Sequence, residues 1–188
     1  SGQTAGQAVV LLNVAGVSAR SIKFGWNFGI SKVEGVGAVT EAHLLDTAKT
    51  WETDSAIDAA YKAYYEEFAS LKGTPFASNI VSEENAKKIL DSGDSDVVFV
   101  SIRKPEDYAK GHIETATNIP WGKGMNDMFA SLPADKKIIV NCYSGQTAGQ
   151  TVAGLKLLGY DAVSLKGGMG VGANAPLGWV NKEYPVVQ

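Results

Sequence analysis

An α/β fold with a central parallel sheet flanked by helices is predicted by three features of these 188 residues. From residue 77 onward, short apolar runs alternate with amphipathic stretches, as strands and helices do in such a fold. The single cysteine, Cys142, ends one of those runs and leads at once into a glycine-bearing turn and a helical stretch. The chain also repeats itself. Residues 1–7 and 144–150 both read Ser-Gly-Gln-Thr-Ala-Gly-Gln, and an ungapped alignment of 1–29 with 144–172 agrees at 15 of 29 positions. A fixed internal offset is the mark of a duplicated structural unit.

Taken in chain order, the first copy predicts a helix to Val14, a turn at Gly16, a strand near Ala19–Ile22 and breaks at Gly25 and Gly29. Residues 30–52 carry no regular pattern, and His43 among them reads as a surface or packing residue. Thr53-Asp54-Ser55 then caps a helix that sets Ile57, Ala60, Tyr61, Tyr64, Tyr65, Phe68 and Leu71 on one face, a packing stripe. Lys72-Gly73-Thr74-Pro75 reads as a linker. Three parts follow: 1–52, the C-terminal remnant of a first domain; 53–76, a helical connector; and 77–188, a complete domain. On this reading an N-terminal part is missing, with a second cysteine expected two residues before Ser1.

In the complete domain, Ser82 caps a helix with Glu83 and Glu84 in its first turn and Gly93 just beyond its end. Val97–Val100 is apolar on both faces, as a buried parallel strand requires. Pro105 opens a short helix through Tyr108. Lys136-Lys137 precede a second strand, Ile138–Asn141, which runs into Cys142. Val152, Leu155, Leu157 and Leu158 predict the buried face of the next helix, which stops at Gly159. Ala162–Leu165 forms a third strand, broken by Gly167-Gly168.

The charge balance, −3 overall, leaves neither part a basic surface for nucleic acid or anionic lipid. No apolar run approaches the roughly 18 residues of a membrane span. One cysteine with His43 and His112 cannot make an internal disulfide or a zinc cluster, so Cys142 is either a buried thiol or a reactive one.

Position favours the reactive reading. The C-terminal end of a parallel strand is where α/β folds bind ligands. The loop Cys142-Tyr143-Ser144-Gly145-Gln146-Thr147 is short enough to curl around the sulfur, its N–H groups forming an anion nest backed by the start of the following helix. Such a cradle favours thiolate over thiol and can hold a persulfide anion as well.

These residues carry a resemblance. Val98-Phe99-Val100-Ser101-Ile102-Arg103-Lys104-Pro105-Glu106-Asp107-Tyr108, then Gly111-His112-Ile113, Asn118-Ile119-Pro120 and Cys142 to Ala148 resemble the rhodanese family of sulfurtransferases over about residues 80–185. Residues 1–29 resemble the end of another such domain. The resemblance implies that Cys142 is the nucleophile and persulfide carrier, and that Tyr143, Ser144, Gly145, Gln146, Thr147 and Ala148 form the sulfur-binding loop. It implies a small sulfur donor, a thiol, cyanide or protein acceptor, and no metal or organic cofactor. His112 falls in a structural Gly-His-Ile turn. Bacterial cytoplasm and periplasm both suit such a protein.

Two departures from the family pattern stand out. Ser101 occupies the place of the usual Asp, which removes an ion pair with Arg103 and alters support of the fold. The loop side chains Tyr143, Ser144 and Gln146 are neutral where thiosulfate-tuned loops carry cations, which favours polysulfide, small persulfide or protein donors. Phosphatases and arsenate reductases of related fold need a longer loop closed by Arg, and no Arg follows Cys142. The alternative function is a non-catalytic binding module of the same fold.

Overall fold

The computed structural model describes residues 2–39 and 53–188, so His43 lies outside the described residues. In chain order the elements are helix α1 (Gly2–Val14), the single turn α2 (Gly25–Phe28), helix α3 (Ser55–Ser70) and strand β1 (Ile80–Val81). Then come α4 (Glu83–Ser92), β2 (Val97–Ser101), α5 (Pro105–Lys110), β3 (Thr117–Asn118), β4 (Lys137–Asn141), α6 (Gln146–Leu157) and β5 (Ala162–Leu165). The five strands make one sheet in the order β1-β5-β4-β2-β3, and every pairing is parallel.

Strands buried on both faces explain the unbroken apolar runs. Along β4, Ile138 and Val140 point to one side, where they meet Val100, Ile102, Val152 and Leu155. Ile139 points to the other, against Phe99, Val163, Leu165 and Trp179. The alternation is the period of two of a pleated strand, with a helical layer on each side. Helix α4 starts as predicted, Ser82 Oγ accepting from the Asn85 N–H at 3.1 Å, and ends at Gly93 in the left-handed region. Helix α5 begins on Pro105, whose missing N–H costs nothing in a first turn.

Two expectations need correction. Ala19–Ile22 forms no strand, and Ile22 is 58 % exposed. A strand exists through ladder bonds to a neighbour, and among the described residues none flanks this segment. The sequence places Leu158 on the buried face of α6, but it stands at the helix's C-terminal cap and is 64 % exposed.

The sequence repeat and the local conformation agree at one helix and the glycine after it. Helices α1 and α6 occupy matching positions of the two copies, and the glycines that follow, Gly16 and Gly159, both have positive φ (82° and 90°). The two helices pack directly on each other. A Cβ on Gly149 would stand 2.5 Å from the Gln3 carbonyl oxygen, and one on Gly6 would stand 2.7 Å from that of Gln146. Gly6 and Gly149 are repeat counterparts, as are Gln3 and Gln146, so the close approach is reciprocal.

Helix α3, capped by Asp54 accepting from the Ala56 N–H, packs its aromatic stripe across both helices. Tyr64 is its buried member. Its hydroxyl donates to Gln7 Oε1 at 2.8 Å, and Asn79 Nδ2 donates to both oxygens. Tyr65 on the same stripe faces solvent. The buried Lys156 ammonium on α6 pairs with Glu67 of α3.

Candidate active site

Cys142 follows β4 in the middle of the sheet and is 2 % exposed. Its sulfur accepts a hydrogen bond from the Gly145 N–H at 3.0 Å, so the loop does curl back on the sulfur. That curl requires Gly145 at φ 89°, a region other residues rarely adopt. It also requires the missing side chain, since a Cβ there would meet Gln3 Cδ at 2.4 Å. Helix α6 begins at the next residue, and the N–H groups of Gln146, Thr147 and Ala148 have by position no acceptor within it. The positive end of the helix thus faces the sulfur's side of the loop.

The loop backbone is clamped from behind. Met169 N–H donates to the Cys142 carbonyl at 2.8 Å, and Gly170 N–H to that of Tyr143 at 2.9 Å. The turn carrying these donors is held in turn by Gln3. Its side chain, 3 % exposed, donates to Ser164 Oγ (3.1 Å) and the Leu165 carbonyl (2.9 Å) and accepts from the Gly167 N–H (3.2 Å).

Gln146 makes the mirror-image set. It donates to Ser21 Oγ at 2.8 Å and to the Ile22 carbonyl at 3.5 Å, and accepts from the Phe24 N–H at 3.3 Å. Ser21, Ile22 and Phe24 are the repeat counterparts of Ser164, Leu165 and Gly167. Each of these two glutamines of the sequence repeat therefore bonds to the segment that follows the other.

The predicted loop residues divide by side-chain position. Cys142, Tyr143, Ser144, Gln146 and Thr147 line one cleft of about 690 Å³. Gly145 contributes its N–H, and Ala148 is buried beneath the loop in the core. The Tyr143 hydroxyl turns toward α5, donating to Asp107 Oδ2 at 2.6 Å and accepting from the Lys104 N–H at 3.2 Å. Burial, and then the bond to Asp107, push the Tyr143 phenol above its ordinary value. Lys110 first, and Tyr143 after it, hold the Asp107 carboxyl below the usual carboxylate range.

Arg103 behind the loop is supported as the Ser101 substitution suggested. Its Nε reaches Ser101 Oγ only at 3.4 Å, and its terminal nitrogens donate to the carbonyls of Asp107 and Gly111 instead of to a carboxylate. Burial lowers the Arg103 pKa, with Tyr143, Asp107 and Cys142 pulling the other way. His112 has a structural place: its ring stacks on Tyr108 at 3.9 Å and its Nδ1 donates to the Tyr108 carbonyl.

Among the described residues no group of three or more His, Cys, Asp or Glu side chains is arranged to hold a metal ion, and no helix is long and apolar enough to cross a membrane. Sequence reasoning missed the cleft's far wall, Ser21, Lys23 and Phe24, which comes from the N-terminal segment. It also missed Gln3. The signal for both was present, since Gln3, Ser21 and Lys23 are identical in the two copies of the repeat.

The chain is similar to several known proteins. The family model described as Rhodanese-like domain matches residues 82–173. A sulfurtransferase of Allochromatium vinosum is 29% identical over 111 residues, 58% of this chain and 94% of its own length. The thiosulfate:glutathione sulfurtransferase of Saccharomyces cerevisiae is 31% identical over 103 residues, 47% of this chain and 73% of its own. The crystal structure of a rhodanese-related protein from Thermoplasma volcanium aligns over 57% of this chain and 95% of that one, at 24% identity and a TM-score of 0.48.

Proposed function

This chain belongs to the rhodanese-like domain family, and from that premise we propose that it is a sulfurtransferase working through a persulfide on Cys142. The observation that carries the proposal is the Gly145 N–H directed at the Cys142 sulfur at 3.0 Å, within a loop that opens on a cleft. A buried structural thiol has no need of a hydrogen-bond donor or of a path to solvent.

The reaction is a double displacement. The Cys142 thiolate attacks the outer sulfur of a sulfane donor, a new S–S bond forms, and the donor's old S–S bond breaks with its electron pair. From thiosulfate the leaving group is sulfite. The terminal sulfur of the persulfide is then attacked by an acceptor, cyanide giving thiocyanate or a thiolate giving a new persulfide, and the Cys142 thiolate returns. The thiolate is nucleophile in the first step and leaving group in the second, so neither a metal, nor an organic cofactor, nor a strong general base is needed. The backbone from Tyr143 to Ala148 acts as the sulfur-binding loop, its N–H groups compensating the charge of thiolate and persulfide alike.

Residues 1–52 are read as part of a further copy of the domain, joined through the connector 53–76 to the complete one at 77–188. The reciprocal grips of Gln3 and Gln146 support that reading. Thiocyanate formation from thiosulfate or polysulfide and cyanide tests the function. Double-displacement kinetics, lost in Cys142→Ser, are expected. Absence of turnover with every donor would favour a non-catalytic binding module.

A further inference from the structure

The wall of the cleft opposite the loop raises a question of charge. Among the described residues eleven line this cleft, and Lys23 is the one formally charged side chain among these eleven. Beside Cys142 stand Tyr143, Ser144, Gln146, Thr147 and Gln150, all neutral. Sulfane donors such as thiosulfate are anions, and these neutral side chains offer no counter-charge to the distal, outward-facing part of such a donor. The backbone cradle faces the sulfur and does little for the distal charge of the donor.

Lys23 is held in a fixed relation to the loop. Gln146, itself a loop residue, bonds Ser21 and Ile22 just before Lys23 and Phe24 just after it. The backbone around Lys23 is therefore fastened to the first residue of α6. The ammonium lies 5.3 Å from the centroid of the Phe24 ring and, among the described residues, has no carboxylate partner. An exposed lysine with no paired acid among the described residues, in a cleft whose other described lining residues are neutral, is available to a ligand. The repeat keeps a lysine at the matching position, Lys166.

We propose that Lys23 is a specificity-determining residue of the Cys142 site, supplying from the N-terminal segment the positive charge that admits anionic sulfane donors. The inference rests on the sulfurtransferase reading above. It also revises the donor preference suggested by the neutral loop, because the compensating cation sits on the opposite wall of the cleft.

The charge at the mouth can be read without any sulfur chemistry. Cys142 is the sole cysteine, so its alkylation by iodoacetate, an anion, and by iodoacetamide, its neutral analogue, gives a rate ratio that reports local potential. For one charge lining the same partly solvated cleft, Lys23→Met is expected to lower that ratio about three- to tenfold. Lys23→Arg should hold the ratio near the wild-type value, and salt at about 1 M should remove most of the difference. In thiosulfate turnover, Lys23→Met should raise KM by a comparable factor and leave kcat little changed.

A ratio unmoved by Lys23→Met overturns the role of Lys23, whether or not the protein transfers sulfur. A ratio that falls in a protein that takes no sulfur from thiosulfate or polysulfide overturns the assignment of that charge to sulfane donors, and with it the sulfurtransferase reading. A lowered ratio together with a raised KM for thiosulfate supports both.

Discussion

Gln3→Ala is a sharp test of how the N-terminal segment supports the site. The side chain lies buried between α1 and the turn after β5, where it makes bonds of 2.9, 3.1 and 3.2 Å. Truncation removes all three partners at once and opens a space beside Gly145. At about 0.5–1.5 kcal/mol net for each bond, and more where a buried group is left unpaired, the loss should be about 2–4 kcal/mol. Its repeat counterpart supplies the control. Gln146 bonds at 2.8, 3.3 and 3.5 Å in a more exposed setting, so Gln146→Ala should cost about 1 kcal/mol or less. Urea denaturation followed by far-UV circular dichroism measures both, provided that the m values agree. Thiocyanate turnover should also fall in Gln3→Ala, because the turn that Gln3 grips carries the clamp on the Cys142 carbonyl. A cost below about 1 kcal/mol for Gln3→Ala, or equal costs for the two variants, would refute this account of the crossed glutamines.

Two other variants address packing and ionisation. Gly149→Ala forces a Cβ to within 2.5 Å of the Gln3 carbonyl oxygen and should destabilise by about 1–3 kcal/mol despite alanine's better helix propensity, again read from urea curves. The Tyr64 phenol is pushed up to about 12 from its ordinary 10.0 by burial, the Asn79 hydrogen bond pulling the other way. The folded state therefore holds this proton where the unfolded chain has released it. Its contribution is complete below pH 10.0 and is lost as pH rises through about 12, a fall of about 3 kcal/mol that Tyr64→Phe should lack when the two stability profiles are compared.

How much was legible in the sequence depended on how local each determinant is. Ser82 and Gly93 marked both ends of α4 because capping is decided within a few residues. The runs at Val97 and Ile138 read as strands because burial on both faces leaves no polar position to confuse the pattern. The two-residue strands Ile80–Val81 and Thr117–Asn118 are too short to show any period. Ala19–Ile22 read as a strand by likeness to Ala162–Leu165, yet pairing belongs to neighbours and the likeness carried none with it. The same division runs through the site. Cys142 and the turn at Gly145 were legible, since a strand, a glycine and a helix start lie within six residues. Gln3 and Lys23 reach the site across more than a hundred residues, and only their persistence in the repeat pointed to them.

The claim that Cys142 carries sulfur is tested most directly by peptide mass spectrometry of the protein before and after incubation with thiosulfate or polysulfide. The account predicts a gain of one sulfur atom on the peptide containing Cys142, removed by cyanide and absent from Cys142→Ser. A protein that gains no sulfur from either donor, while iodoacetamide still reaches Cys142, would contradict it.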